Sequence, residues 1–136
     1  MNTKRLVLAI LVVFIGIFAT DFLIHGVWLK NTYAETASLW RTEAEMQKYF
    51  GWLLLAEFLW AAIFVVIRAK GFPATASLGN ACLYGLSMGV FIQTTTLITY
   101  VVQPFPAELA MKWFLAGVAQ STLMGVIVFF VYKPKP

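Results

Sequence analysis

The chain has 136 residues, enough for one domain, of which 61% are hydrophobic and only 12% charged. A soluble fold of this size keeps much of its surface wet and has nowhere to hide so much apolar area, so lipid is the solvent that fits the composition. The net charge of +4 does not mark a nucleic-acid binder, because the bases sit at the ends of apolar runs rather than in one patch.

Cysteine and histidine counts exclude more. A single cysteine, Cys82, permits no intrachain disulfide, CxxC motif or multi-cysteine zinc site, and a single histidine, His25, permits no bis-histidine haem.

A spanning helix needs about 20 mostly apolar residues, and four segments qualify. The first runs from Leu6 to about Leu29, broken by Asp21 and His25. It follows Lys4 and Arg5 as a signal peptide would. It is too long for a signal's apolar region of about 7–15 residues, however, and Ile17-Phe18-Ala19 is a poor small-x-small cleavage site, so a retained helix is expected. Residues 30–48 form the one substantial loop, which mixes charges with Tyr33, Leu39, Trp40 and Met46. It is expected to lie on the membrane surface as a short amphipathic element, or else to fold over the bundle as a cap, the first being preferred.

Thr42-Glu43-Ala44-Glu45 reads as a capping box, so a helix start is expected near Glu43, with entry into hydrocarbon near Tyr49. The second span covers about 49–67 and carries one charge, Glu57; Gly71 suits its C-terminus and Pro73 forbids simple continuation. The third lies within an uncharged stretch, over about 77–102. Gln103-Pro104-Phe105-Pro106 then breaks the chain, Pro106 can open the next helix with Glu108 near its positive dipole end, and the fourth span covers about 113–132. The expected fold is therefore all-α, a single transmembrane domain built as a four-helix bundle.

Charge sets the orientation. Lys4, Arg5, Arg68, Lys70, Lys133 and Lys135 gather on one side with no acid, and the positive-inside rule places that side, with both termini, in the cytoplasm. Ala81, Gly85 and Gly89 recur every four residues on helix three, as do Gly117, Ser121 and Gly125 on helix four, so both stripes are expected to face neighbouring helices. Trp28, Trp40, Trp52, Trp113, Tyr100 and Tyr132 fall near helix ends, as an aromatic belt would.

The polar residues inside the spans are the chemical signal. Asp21, Glu57, Gln93 and Gln120 lie one per helix, seven to nine residues from the outer helix ends, roughly 10–14 Å deep at about 1.5 Å per residue. His25 should stack one turn above Asp21, and Thr96 and Tyr100 should extend the Gln93 face, giving a polar funnel that ends at two carboxylates. A carboxylate in lipid is costly unless paired, protonated or hydrated. If Asp21 and Glu57 meet, like-charge repulsion makes the pair hold a proton. Asp21, His25 and Glu57 could instead ligate a divalent metal. The structural alternative is an Asp21–His25 bond along helix one, with a protonated Glu57 bonded to Gln93 or Gln120 as a stitch between helices.

Asp21-Phe22-Leu23-Ile24-His25-Gly26-Val27, then Tyr33, Leu39-Trp40-Arg41 and Glu45-Met46, resembles a pattern in small four-helix bacterial inner-membrane proteins with no assigned activity. The resemblance covers about a third of the chain and implies a bacterial inner-membrane setting. Small multidrug-resistance transporters fit poorly, since their membrane Glu is in helix one, where this chain has Asp21. Quinone-linked disulfide-forming proteins fit poorly too, because they need several cysteines.

No phosphate loop, nucleophile elbow or multi-ligand metal motif is present in the sequence, so an enzyme is not the leading expectation. That expectation is an accessory subunit of a larger inner-membrane complex, associating with other subunits or with itself through the small-residue stripes. The alternatives are a small proton- or ion-coupled transporter and a metal-binding membrane protein.

Overall fold

The computed structural model describes residues 2–72 and 77–132, all helical or connecting, with no strand among them. Pro73, Lys133 and Lys135 lie outside the described residues. Helix α1 spans Thr3–Asp21 and continues as a π-helix over Phe22–Trp28. Two short helices follow, α2 (Lys30–Glu35) and α3 (Glu43–Lys48), and then three long ones, α4 (Phe50–Gly71), α5 (Leu78–Val102) and α6 (Ala107–Val131). The α1 segment through Trp28 and helices α4, α5 and α6 are each long and apolar enough to cross a membrane.

Local chemistry sets the helix ends. Thr42 forms the expected capping box: its hydroxyl accepts the Glu45 amide at 3.3 Å while the Glu45 carboxylate accepts the Thr42 amide at 3.0 Å. Backbone and hydroxyl bonds to Thr42 hold the Glu45 carboxyl below its ordinary range. Ser77 and Asn80 make an equivalent reciprocal pair at the start of α5. Gly71 is the last residue of α4, and Pro106 caps α6 with Glu108 in the first turn. The fourth helix thus begins at the Pro106 break, as expected, six residues before the apolar span at Trp113, and Glu108 and Lys112 pair along its first turns at 2.5 Å.

The two small-residue stripes pack on each other. A Cβ on Gly85 would sit 2.5 Å from the Ser121 carbonyl oxygen, and one on Gly125 would sit 2.5 Å from that of Ala81. Only hydrogen at these positions lets α5 and α6 approach backbone to backbone, the arrangement small residues permit in lipid-facing helices. Helix α6 packs on α1, and α1 on α4. Helices α4 and α5 meet chiefly at the basic end, where the Tyr84 hydroxyl donates to the Phe64 carbonyl and the two rings lie 4.7 Å apart.

Two apolar clusters close the molecule at opposite ends. At the end carrying Lys4, Arg5, Arg68 and Lys70, a plug of Leu6, Val13, Phe64, Val65, Tyr84 and Met124 fills the space between helices. At the other end, Leu29, Phe105, Leu109 and Ala110 are buried beneath Tyr33, Trp40 and Trp113. The connecting loop therefore divides in two. Its first half folds over the bundle as a cap, contrary to the preferred surface reading, because Tyr33 and Trp40 find a complementary aromatic bed in Phe105 and Trp113. Its second half, α3, is exposed throughout.

Candidate functional site

A cleft of about 430 Å3 lies between plug and cap, walled by α1, α4, α5 and α6. Five of the residues assigned to the polar layer line it: Asp21, Glu57, Gln93, Thr96 and Gln120, together with His25. Tyr100 does not. Its ring packs at 5.8 Å on Phe105, which the Gln103–Pro106 turn folds back into the cap, and its side chain is exposed.

The floor is the acid pair. Glu57 is 5% exposed, and its Oε2 has no hydrogen-bond donor among the described residues. The Asp21 carboxyl lines the same cleft beside it. Two bare carboxylates only repel, and neither can donate, so the contact becomes a hydrogen bond when one proton sits between them. Asp21 is held from the other side: Gln120 Nε2 donates to Asp21 Oδ1 at 2.7 Å and to Thr20 Oγ1 at 2.7 Å, fixing α6 against α1. A donor amide on one acid and none on the other gives the two carboxyls different surroundings.

Gln93 does not reach the pair. Its Oε1 accepts the Thr96 hydroxyl at 2.6 Å, and its amide occupies the space that a side chain at Gly117 would fill. The expected stitch from Glu57 to Gln93 or Gln120 is therefore not formed; the link across helices runs through Asp21 and Gln120.

His25 also departs from expectation. It faces the cleft, but its Nδ1 lies 2.5 Å from the Tyr33 hydroxyl rather than on Asp21. The Trp113 indole N–H, which can only donate, reaches the same hydroxyl at 2.7 Å. The Tyr33 oxygen thus accepts from Trp113 and bonds the His25 ring at the same time. Burial pushes the Tyr33 hydroxyl above its ordinary range, the Trp113 bond draws it partly back, and the Asp21 charge adds to the rise. Three aromatic groups thereby tie the loop to the mouth of the cleft.

This geometry corrects the metal expectation. Among the described residues, no group of three or more His, Cys, Asp and Glu side chains comes together as a ligand set. The reason is local: i→i+5 bonding over Phe22–Trp28, ending in the Leu29 amide on Ile24 oxygen at 2.9 Å, widens the turn carrying His25, and the imidazole is engaged by Tyr33. Asp21 and Glu57 pair without it.

Several cleft residues were not legible as a group. Trp60 and Trp113 line it as aromatic walls, and Thr20 shares the Gln120 amide with Asp21. Trp113 and Tyr33 had signalled only an aromatic belt and an amphipathic loop; a polar-capable aromatic at each of two helix ends was the available clue to a tie between them.

Comparison with protein-family models, with curated proteins and with solved structures returns no match for this chain. The resemblance drawn from Asp21–Val27 and the loop rests on those residues alone.

Proposed function

We propose that the protein is a small multi-pass membrane carrier that exchanges a solute for protons at the Asp21–Glu57 pair. The observation that carries this reading is the Glu57 carboxyl, buried at the floor of an open cleft with one oxygen unpartnered and a second acid beside it. An acid pair kept only to join helices would have its oxygens satisfied by donors and no adjoining space. Ionisable groups set in a span and facing a cavity mark proton and solute pathways.

The apolar plug closes one end of the cleft and the aromatic cap covers part of the other, so passage requires the two to loosen in turn. The bases at the plug end support a cytoplasmic position for that end and for both termini, in a bacterial inner membrane. Helices α4 and α5 leave the upper cleft open between them, and a second copy or a partner subunit of a membrane complex would complete that wall. The accessory-subunit expectation leaned on small-residue stripes free to pair outward; both are taken up by α5 and α6.

The test uses inverted membrane vesicles with an imposed proton gradient, read by a quenched pH-gradient dye. Solutes are added one at a time. At least one should collapse the gradient with the wild-type protein and leave it standing with Glu57→Gln. A solute response of equal size in Glu57→Gln, or none across a panel of cations, anions and neutral solutes, refutes the carrier reading.

A further inference from the structure

The cleft also constrains the solute. Its lining contains two acids and no lysine or arginine, so nothing fixed in it attracts an anion. Lys112, next in sequence to Trp113, is outside the lining and is held by Glu108. The titratable groups facing the acid pair are His25 on the same helical segment and Tyr33 above it; α5 and α6 contribute the neutral amides of Gln93 and Gln120.

Size and wall chemistry narrow the choice further. A proton or bare metal ion needs none of a 430 Å3 space, which falls in the range of roughly 300–1,000 Å3 that holds small organic ligands. Ile17, Ile24, Leu53 and Ile92 give it apolar sides, and Trp60 and Trp113 add aromatic faces that attract cations. A second opening, between α1 and α4, reaches the same two acids past Phe18, Phe22 and Phe50. The pair is thus approachable along a phenylalanine-lined side as well as from the mouth.

We propose that the exchanged solute is a monovalent organic cation with an apolar aromatic body of a size to fill the cleft, in the space that Trp60 and Trp113 line, with its charge against Asp21 and Glu57. This rests on the exchange reading above. The step balances simply: the shared O–H breaks, its proton leaves to water, and the ligand's single charge replaces it. The net charge of the cleft is unchanged and no other bond forms or breaks.

The experiment titrates purified protein in detergent with tetraphenylphosphonium, a permanent cation that has no proton to give. Binding is followed by tryptophan quenching and proton release by a pH dye in weak buffer. Saturable binding is expected with about one proton released per cation, and affinity should rise about tenfold per pH unit while the pair is protonated. Tetraphenylborate, of matching shape and opposite charge, should not bind; equal binding of the two ions to the wild type shows an apolar pocket indifferent to charge and overturns the proposal. Infrared difference spectra of wild type and Glu57→Gln separate the two levels of the argument. A titrating carboxyl band with no tetraphenylphosphonium binding overturns the cation assignment and leaves proton exchange standing. Absence of that band in the wild type overturns both.

Discussion

Gly85→Ala is the sharpest test of the packing. The added Cβ would lie 2.5 Å from Ser121 oxygen and 2.7 Å from Thr122 Cα, both backbone atoms in the middle of α6 that no rotamer change can move. Ordinary contact begins at 3.4 Å, so α5 and α6 must part locally by about 0.9 Å. Overpacking of this kind costs about 1–3 kcal/mol, and a backbone-on-backbone clash belongs near the top of that range. Replacing a helical glycine by alanine returns about 1 kcal/mol in helix propensity. The net loss is about 2 kcal/mol, a fall in Tm of roughly 8 °C for a chain of this length. Thermal unfolding in mild detergent, followed by circular dichroism, measures it. Gly51→Ala is the control, since nothing lies within 4 Å of the added carbon there, and it should match or slightly exceed wild type. If Gly85→Ala unfolds at the wild-type temperature, or the control falls as far, the close-approach argument is wrong.

Three further outcomes are expected. Tyr33→Phe removes the acceptor of the Trp113 N–H and should cost about 1–3 kcal/mol; a red shift in tryptophan emission and faster amide exchange over 30–40 would report the loosened cap, and unchanged spectra would remove its structural role. The Tyr33 hydroxyl titrates above its ordinary 10.0, so the stability it contributes is fully present below that pH and is lost as pH rises through the higher folded-state value; ultraviolet titration should show a late-ionising tyrosine whose ionisation coincides with cap opening, and loss of that component in Tyr33→Phe assigns it. Glu45 runs the other way: its folded value lies below 4.5, so its contribution to α3 is present above that pH and fades as pH falls through the lower value. Amide exchange across 43–48 at descending pH should show α3 fraying, and Thr42→Ala should produce the same fraying at neutral pH.

The spans were legible because their signal needs only length and hydropathy, and the shared level of Asp21, Glu57, Gln93 and Gln120 around one cleft because rise per residue is fixed along a helix. Azimuth was legible only where helices are regular. The i, i+4 rule put His25 on Asp21, but the π-turn over Phe22–Trp28 breaks the 3.6-residue period, and Tyr33, from a loop whose path no local pattern dictates, takes the imidazole instead. Tyr100 fails for a similar reason. Spacing alone put it on the Gln93 face, yet its ring lies on Phe105 and off the cleft. Thr42 and Glu45 announced their capping box through an acid at the third position; Ser77 and Asn80 make the same box with an amide, which the familiar pattern passes over. The stripes on α5 and α6 were visible as faces, but that each is the other's partner follows only from the tight turn at Gln103–Pro106.

The bond from Gln120 to Asp21 joins segments 99 residues apart. In the membrane setting proposed above, Asp21 would be inserted among the first residues, and the amide that holds it would arrive with the last helix. An unpartnered acid near the centre of a span costs about 2.5–3.5 kcal/mol, so in that setting α1 would be poorly settled until α6 had inserted. The polar layer would then also act as a late checkpoint in biogenesis: a product truncated before α6 keeps its carboxylates without their amide, and quality-control proteases would find that unfinished molecule loosely held.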